Sequence, residues 1–282
     1  MSLFWGDDIL NSRFDKIQRE NCTLYIHRNF RNETFEQALL DGGKKLSEHY
    51  RLTTVQSSKF ARVYKFTVSF NDGDKVVYYK QYLCRSVWDF IKHFVRANRV
   101  ERAFKAAEIL GENGFDTPAI IAVGKSRYGL RNTTNFLVTG EIENAKQIYR
   151  VVSDSKLASR DKHELIRAFG QTIGKMHAKG IFHGDLRLGN ILAKREKDRW
   201  RFFFLDNERT RKFHSLPAQL RLKNLVQVNM PPPASMSNTD RMRFFKEYWA
   251  ENKESKVEKT ILIKKVLKKT SYRLRKRIKA GR

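Results

Sequence analysis

Hydrophobic and polar positions change their period along the chain, and the changes separate strand-forming stretches from helix-forming ones. Leu24-Tyr25-Ile26 reads as a short strand, and Thr34 to Leu40 as a short helix. From Thr53 the pattern becomes strand-like. Arg62 to Phe70 alternates with period two, Asn71-Asp72-Gly73-Asp74 supplies a hairpin turn, and Lys75 to Tyr82 returns as the next strand. Between Asn98 and Gly111 the period lengthens, with Val100, Phe104, Ala107 and Leu110 at helical spacing, and Gly114-Phe115-Asp116-Thr117-Pro118 closes that helix. Ile120 to Val123 and Asn135 to Thr139 read as two further strands. Leu165 to His177 is an amphipathic helix closed by Lys179-Gly180. Ile191-Leu192-Ala193 and Phe202 to Leu205 are apolar strand segments. No internal repeat is present. The order predicts an α+β chain of two lobes, one rich in strands and one mostly helical, with the crossover near Thr139 to Asn144.

Composition adds one unusual quantity. The 282 residues carry 57 Lys and Arg against 30 Asp and Glu, a net charge of +27 and a pI near 10.2. Such a field attracts polyanions: nucleic acid, anionic lipid head groups or phosphorylated sugars. Apolar content is ordinary for a globular protein, which excludes disorder throughout. No window reaches the roughly 18 apolar residues of a membrane span, and the first residues carry acids where a signal peptide needs bases. A cytoplasmic protein, at most peripheral on a membrane, is expected. Cys22 and Cys84 lie far apart in no metal or redox spacing, so both read as free thiols. From 251 onward thirteen Lys and Arg face three Glu. With Val257, Ile261, Val266 and Leu267 as one apolar stripe, this end reads as a basic amphipathic helix suited to an anionic membrane surface. RNA phosphates or plain solvent fit the same charge.

The chemistry concentrates in His183-Gly-Asp-Leu-Arg-Leu-Gly-Asn190 and in Leu205-Asp206, sixteen residues on. Phosphoryl transfer needs a carboxylate to orient and deprotonate the attacking hydroxyl. It also needs an amide oxygen and a second carboxylate to hold Mg²⁺ against the phosphates of ATP. Asp185 is the candidate base, and Asn190 and Asp206 are the candidate metal ligands. Each residue alone fits an ordinary turn or strand end. All three in order, flanked by two apolar strands, point to a bilobal protein-kinase-like fold. Its parts are an extension over 1–50, an N-lobe over 51–140, a C-lobe over 141–250 and a basic end over 251–282.

A kinase N-lobe places a lysine on its third strand to neutralise the α- and β-phosphates. Lys80 fits, with Lys75 and Lys65 as competitors. The phosphate-covering turn falls at Val55 to Arg62 and has no Gly-x-Gly motif, yet Ser57 and Ser58 let backbone approach phosphate and Lys59 adds charge. Glu101 or Glu108, on one helical face, pairs with Lys80; Glu101 is favoured.

The catalytic loop resembles the H-G-D-L-x-x-x-N-I-L loop of RIO kinases, aminoglycoside and choline phosphotransferases and lipopolysaccharide kinases. Four further stretches are similar to the lipopolysaccharide kinase (Kdo/WaaP) family: Leu216-Pro217, Arg221 to Gln227, Asp240 to Tyr248, and Arg99 to Ala107 with its closing Gly114 to Pro118. The resemblance spans roughly 50 to 250. It implies a kinase fold that uses ATP and Mg²⁺ to phosphorylate a Kdo or heptose hydroxyl of the lipopolysaccharide core or lipid A–Kdo at the inner face of the inner membrane. It implies the same roles for Lys80, Asp185, Asn190 and Asp206. Two positions depart from the family pattern: the helix glutamate would fall at Ala103, and Asn224 stands where aspartate is expected. A RIO-like protein kinase or ATPase, and a catalytically weak nucleotide-binding scaffold, are the alternative readings.

Overall fold

The computed structural model describes residues 13–57, 60–83, 99–128, 132–230, 236–252 and 256–279. The chain divides into two compact units, Met1–Lys105 with Pro118–Glu143, and Ala106–Thr117 with Asn144–Arg282.

The first unit contains β1 (Phe14–Arg19), β2 (Cys22–His27), α1 (Glu33–Leu40), α2 (Leu46–His49), β3 (Thr53–Val55), β4 (Ala61–Phe70) and β5 (Gly73–Tyr82). The first turns of α3 (Arg99–Glu112), then β6 (Ile120–Tyr128) and β7 (Asn132–Gly140), complete it. Seven antiparallel strands form one sheet in the order β1-β2-β6-β7-β5-β4-β3. Period two in the sequence becomes two covered faces. Leu24, Ile26, Phe66, Val68, Val77, Tyr79, Phe136 and Val138 pack on one side with Phe35, Leu39 and Leu46 of α1 and α2. Their alternates Tyr25, Tyr82, Val123 and Leu137 pack on the other with Val100, Ala103 and Phe104 of α3. Asn32 caps α1, its Oδ1 accepting from the Phe35 amide at 2.8 Å. The β4–β5 turn is tighter than expected: Gly73 and Asp74 already pair with Phe70 and Ser69, and Ser69 Oγ donates to the Asp74 carboxylate at 2.6 Å. Cys22 is a free, buried thiol whose pKa is pushed up to about 11 by burial; Cys84 lies outside the described residues.

The second unit continues with β8 (Lys146–Gln147), α4 (Ile148–Val152), α5 (Ser159–Ala178), β9 (Ile181–Phe182), β10 (Ile191–Glu196), β11 (Arg199–Phe204), β12 (Arg211–Lys212), α6 (Ala218–Asn229), α7 (Asn238–Ala250) and α8 (Lys256–Lys279). Its core joins Leu165, Phe169 and Ile173 of α5 to Ile191, Phe202 and Phe204 of the strands and to Leu225, Phe244 and Tyr248. α5 starts six residues earlier than hydrophobic spacing alone indicates. Its first turn is polar, with Ser159 and Arg160 exposed, and Arg160 pairs with Glu164 one turn on. Gly170 and Gly174 let α5 and α7 pack backbone against backbone; a Cβ on Gly174 would lie 2.8 Å from the Tyr248 carbonyl oxygen.

The basic end corrects the sequence reading. It is a helix docked on α6, and the expected stripe is displaced around it. Leu262, Ile263, Val266 and Leu274 face the core, whereas Ile261 and Leu267 are 45% and 51% exposed. Thr270 completes the inner face, buried because its hydroxyl accepts from Asn229 Nδ2 at 3.1 Å. A threonine satisfied in this way does not register in an apolar pattern, so the true stripe was hidden. The helix is therefore packed structure, and its removal strips part of the core. Among the described residues no helix is long and apolar enough to cross a membrane.

Candidate active site

The loop from His183 to Asn190 connects β9 to β10, and α6 lies beneath it. β9 pairs with β12, and β10 pairs along its whole length with β11, so both ends of the loop are fixed by ladders. Gly184 is required by space: a Cβ there would come within 2.8 Å of the Arg209 carbonyl oxygen. That explains the glycine between the histidine and the aspartate.

Asn224, fully buried on α6, clamps the loop backbone. Its Oδ1 accepts from the His183 amide at 3.2 Å, and its Nδ2 donates to the His183 carbonyl at 2.5 Å and to Gln227 Oε1 at 2.9 Å. The same Oδ1 lies 3.2 Å from His177 Nε2, and His177 Nδ1 lies 3.0 Å from the Tyr248 hydroxyl. An amide oxygen only accepts, so Nε2 carries the proton and Nδ1 takes the tyrosine hydrogen. The aspartate expected at this position could accept but not donate; asparagine does both. Burial pushes the His177 pKa down to about 3. His183 accepts the Asp185 amide on Nδ1 at 3.2 Å. Burial lowers its pKa to about 4, opposed by the negative charges of Asp185 and Asp206. Both histidines are neutral structural parts at physiological pH.

Asp185 is partly exposed. Its Oδ1 accepts from Arg187 Nε at 2.7 Å and from Gln227 Nε2 at 3.3 Å, and its Oδ2 pairs with the other arm of the Arg187 guanidinium. Gln227 also accepts the Leu186 amide at 3.3 Å. The carboxylate is thus held in a fixed plane by two side chains that sequence reasoning missed. The signals were a cation two residues after the aspartate and an amide one helical turn after Asn224.

Asn190 donates its Nδ2 to the Asp185 carbonyl oxygen at 3.0 Å, which turns its own Oδ1 away as an acceptor. The Asn190 carbonyl accepts from the Leu205 amide at 2.8 Å, with Ile191 opposite Phe204. The next residue, Asp206, is exposed and holds a left-handed backbone at φ 51°. Aspartate tolerates that region better than most residues, but such a conformation is uncommon and recurs where a side chain must be aimed. The structure therefore brings Asp185, Asn190 and Asp206 to one end of the β10–β11 hairpin. One amide oxygen and one carboxylate suit Mg²⁺, which keeps several waters and takes its remaining ligands from phosphates.

The remaining candidates, Glu108 apart, belong to the first unit. Lys80 sits on β5 between Val63 and Leu137, half-buried, with Nζ 5.1 Å from the centre of the Tyr82 ring. Of the other two lysines, Lys75 pairs with Asp72 at the turn and Lys65 with Glu141, both at 2.7 Å. Ser57 donates its hydroxyl to the Ala61 carbonyl at 2.6 Å and closes the β3–β4 loop. Ser58 and Lys59 lie outside the described residues. On α3, Glu101 is 6% exposed and Ala103 is buried in the apolar core; Glu108 falls in the second unit.

A strand-rich unit with an internal lysine, and a helical unit whose His-Gly-Asp loop leads through asparagine to a strand-ending aspartate, define a phosphotransferase of protein-kinase type. The chain belongs to the lipopolysaccharide kinase (Kdo/WaaP) family, whose model matches residues 47–248. It is a kinase. It is 26% identical over 180 residues to a 3-deoxy-D-manno-octulosonic acid kinase of Pasteurella multocida (strain Pm70), covering 60% of this chain and 70% of that protein. It is 31% identical over 104 residues to the kinase of the same name from Vibrio vulnificus (strain CMCP6), covering 37% and 42%. A KEOPS complex subunit Bud32 of Pyrococcus abyssi (strain GE5 / Orsay) is 28% identical over 111 residues, covering 38% and 44%. Among solved structures, WaaP in complex with acyl carrier protein shares the fold at a TM-score of 0.58 and 19% identity, over 86% of this chain and 97% of that one.

Proposed function

We propose that this kinase transfers the γ-phosphoryl group of ATP to a hydroxyl of a Kdo or heptose sugar in the lipopolysaccharide inner core. The arrangement of Asp185, Asn190 and Asp206 around one hairpin end carries this reading. Asp185, oriented by Gln227 and Arg187, accepts the hydroxyl proton as the sugar oxygen attacks phosphorus. The bond between the γ-phosphorus and the bridging oxygen breaks, and ADP leaves with that oxygen. Asn190 Oδ1 and the Asp206 carboxylate would hold Mg²⁺, which supplies charge neutralisation at the phosphates. Lys80 would neutralise the α- and β-phosphates, with the Ser57-Ser58-Lys59 loop covering them and Glu101 as its partner. Arg187 adds a cation beside the base, suited to the charge that develops on the transferred group. The kinase would work where ATP is available, on the cytoplasmic side of the inner membrane.

The Kdo kinases among the relatives support the sugar acceptor, and +27 of charge suits a phosphorylated glycolipid. The second reading is a RIO-like kinase or ATPase acting on protein; the similarity to a KEOPS complex subunit, whose name carries no sugar acceptor, keeps it open. A direct assay separates them. Purified protein with Mg-ATP should phosphorylate Kdo-lipid A, or a heptosylated core, and the lipid should gain the mass of one phosphate. Phosphate appearing only on protein, or ATP hydrolysed with no sugar product, would replace the glycolipid reading with the RIO-like one.

A further inference from the structure

Docking α8 on α6 fixes which of its faces remains outside, and that face has an ordered composition. From Lys259 to Lys279 the helix contains no Asp or Glu. Eight of its cations, Lys264, Lys265, Lys268, Lys269, Arg273, Arg275, Lys276 and Lys279, are exposed. Six large apolar side chains are exposed among the described residues, and four of them lie on this one helix: Ile261, Leu267, Tyr272 at 63% and Ile278 at 76%. That concentration is not what an ordinary solvated face carries.

The pattern is regular. Ile261 and Tyr272 are eleven residues apart, as are Leu267 and Ile278. Eleven residues is about three turns, so each pair forms a line along the helix. Between the two lines run Lys264, Lys268 and Arg275. A strip of cations bordered by apolar lines matches a surface that offers negative charge at its plane and hydrocarbon just below. Nucleic acid offers the charge without the hydrocarbon. We infer that the outer face of α8 docks the kinase on an anionic lipid bilayer. The cations would lie at the head groups, and Ile261, Leu267, Tyr272 and Ile278 would enter the interface. The inference rests on the glycolipid reading for the purpose of docking, not for the existence of the surface.

The test uses the full-length chain in flotation with phosphatidylcholine vesicles, with or without phosphatidylglycerol, and in binding to an RNA duplex. Phosphorylation of a soluble, delipidated sugar acceptor is measured alongside. The wild type should float only with the anionic vesicles, and less as salt rises. Lys264→Glu/Lys268→Glu/Arg275→Glu should weaken that binding at least about tenfold. Ile261→Ser/Tyr272→Ser should weaken vesicle binding about tenfold while leaving RNA binding unchanged, because only a bilayer receives apolar groups. All these side chains are exposed, so melting temperature and soluble turnover should be preserved. A wild type that ignores anionic vesicles, or an apolar variant that floats as well as wild type, overturns the inference. Turnover of the soluble acceptor without flotation would sink the membrane surface and keep the kinase. Flotation without phosphorylation of any sugar would do the reverse.

Discussion

The loop from His183 to Asn190 and the outer helix α8 are both mounted on α6, by opposite means. The loop is fastened from below by buried polar groups: Asn224 on His183, Gln227 on Asp185 and Leu186, and His177 with Tyr248 behind them. α8 is fastened by an apolar stripe, to which the hydroxyl contact of Thr270 with Asn229 is added. Polar clamps set atomic positions, since a hydrogen bond fails within fractions of an ångström, and they are costly to break when buried. Apolar stripes hold an element in place and tolerate small slips. The region that holds the proposed proton acceptor Asp185 has the first kind, and the region that presents a surface has the second.

The sharpest way to test this division is to change chemistry at the loop without disturbing its mounting. Asp185→Asn keeps the shape and the bond from Gln227 but cannot accept a proton. Turnover should fall about 10²- to 10⁴-fold, with melting temperature and ATP binding near wild type. Near-normal phosphate transfer by this variant would remove Asp185 from the mechanism.

Acid should attack the polar mounting and spare the apolar one. His177 and His183 are held below the ordinary value of 6.5, at about 3 and about 4. The unfolded chain therefore takes up a proton on each as pH falls below about 6.5, while the folded chain does not. Their contribution is complete above that pH and is lost as pH falls, at about 1.4 kcal/mol per unit per histidine, or about 4 kcal/mol for both by pH 5. Urea unfolding at pH 7 and pH 5 measures it. His177→Gln should remove about half of the slope; an unchanged slope would mean that His177 charges without penalty.

Asn224→Leu removes the hub itself. It strands the His183 amide and carbonyl and His177 Nε2 in the interior, at a cost of about 3 kcal/mol. The turnover number should fall while KM for ATP holds, because Asp185 loses its registration and the candidate phosphate lysine lies in the other unit. Equal losses in both constants would indicate general unfolding rather than a displaced loop.

Sequence reading captured what is local and missed what is folded in from a distance. Strands β4 and β5, helix α5 and the spacing of Asp185, Asn190 and Asp206 are written in short periods and fixed offsets, so they were legible. Asn224 and Gln227 reach the loop across 41 or 42 positions, and Tyr248 reaches His177 across 71. In isolation each is a polar residue on an amphipathic helix, the usual mark of a solvated face. Arg187 stood inside the motif but drew no role, because a charge two residues from the base is expected on any exposed turn. α8 failed differently: its inner face includes a buried threonine, and two residues of its expected stripe, Ile261 and Leu267, point outward.

That misplaced stripe yields the smallest expected effect and the most direct contrast with the loop. Val266 is 8% exposed on the inner face of α8, packed into the second unit's core. Val266→Ala removes two methyl groups and leaves a gap that a single docked helix can partly close. The cost should be about 1.5 kcal/mol, a fall in melting temperature of about 4 °C for a domain of this size. Turnover on a soluble acceptor should stay near wild type, since an apolar contact on α8, one turn before Thr270, does not set the position of Asp185. Lys268→Ala on the outer face is the matched control and should leave the melting temperature unchanged. If Val266→Ala is as silent as Lys268→Ala, α8 is not docked as described. If it lowers turnover as deeply as Asn224→Leu, the two mountings on α6 are one, and the division between clamp and stripe fails.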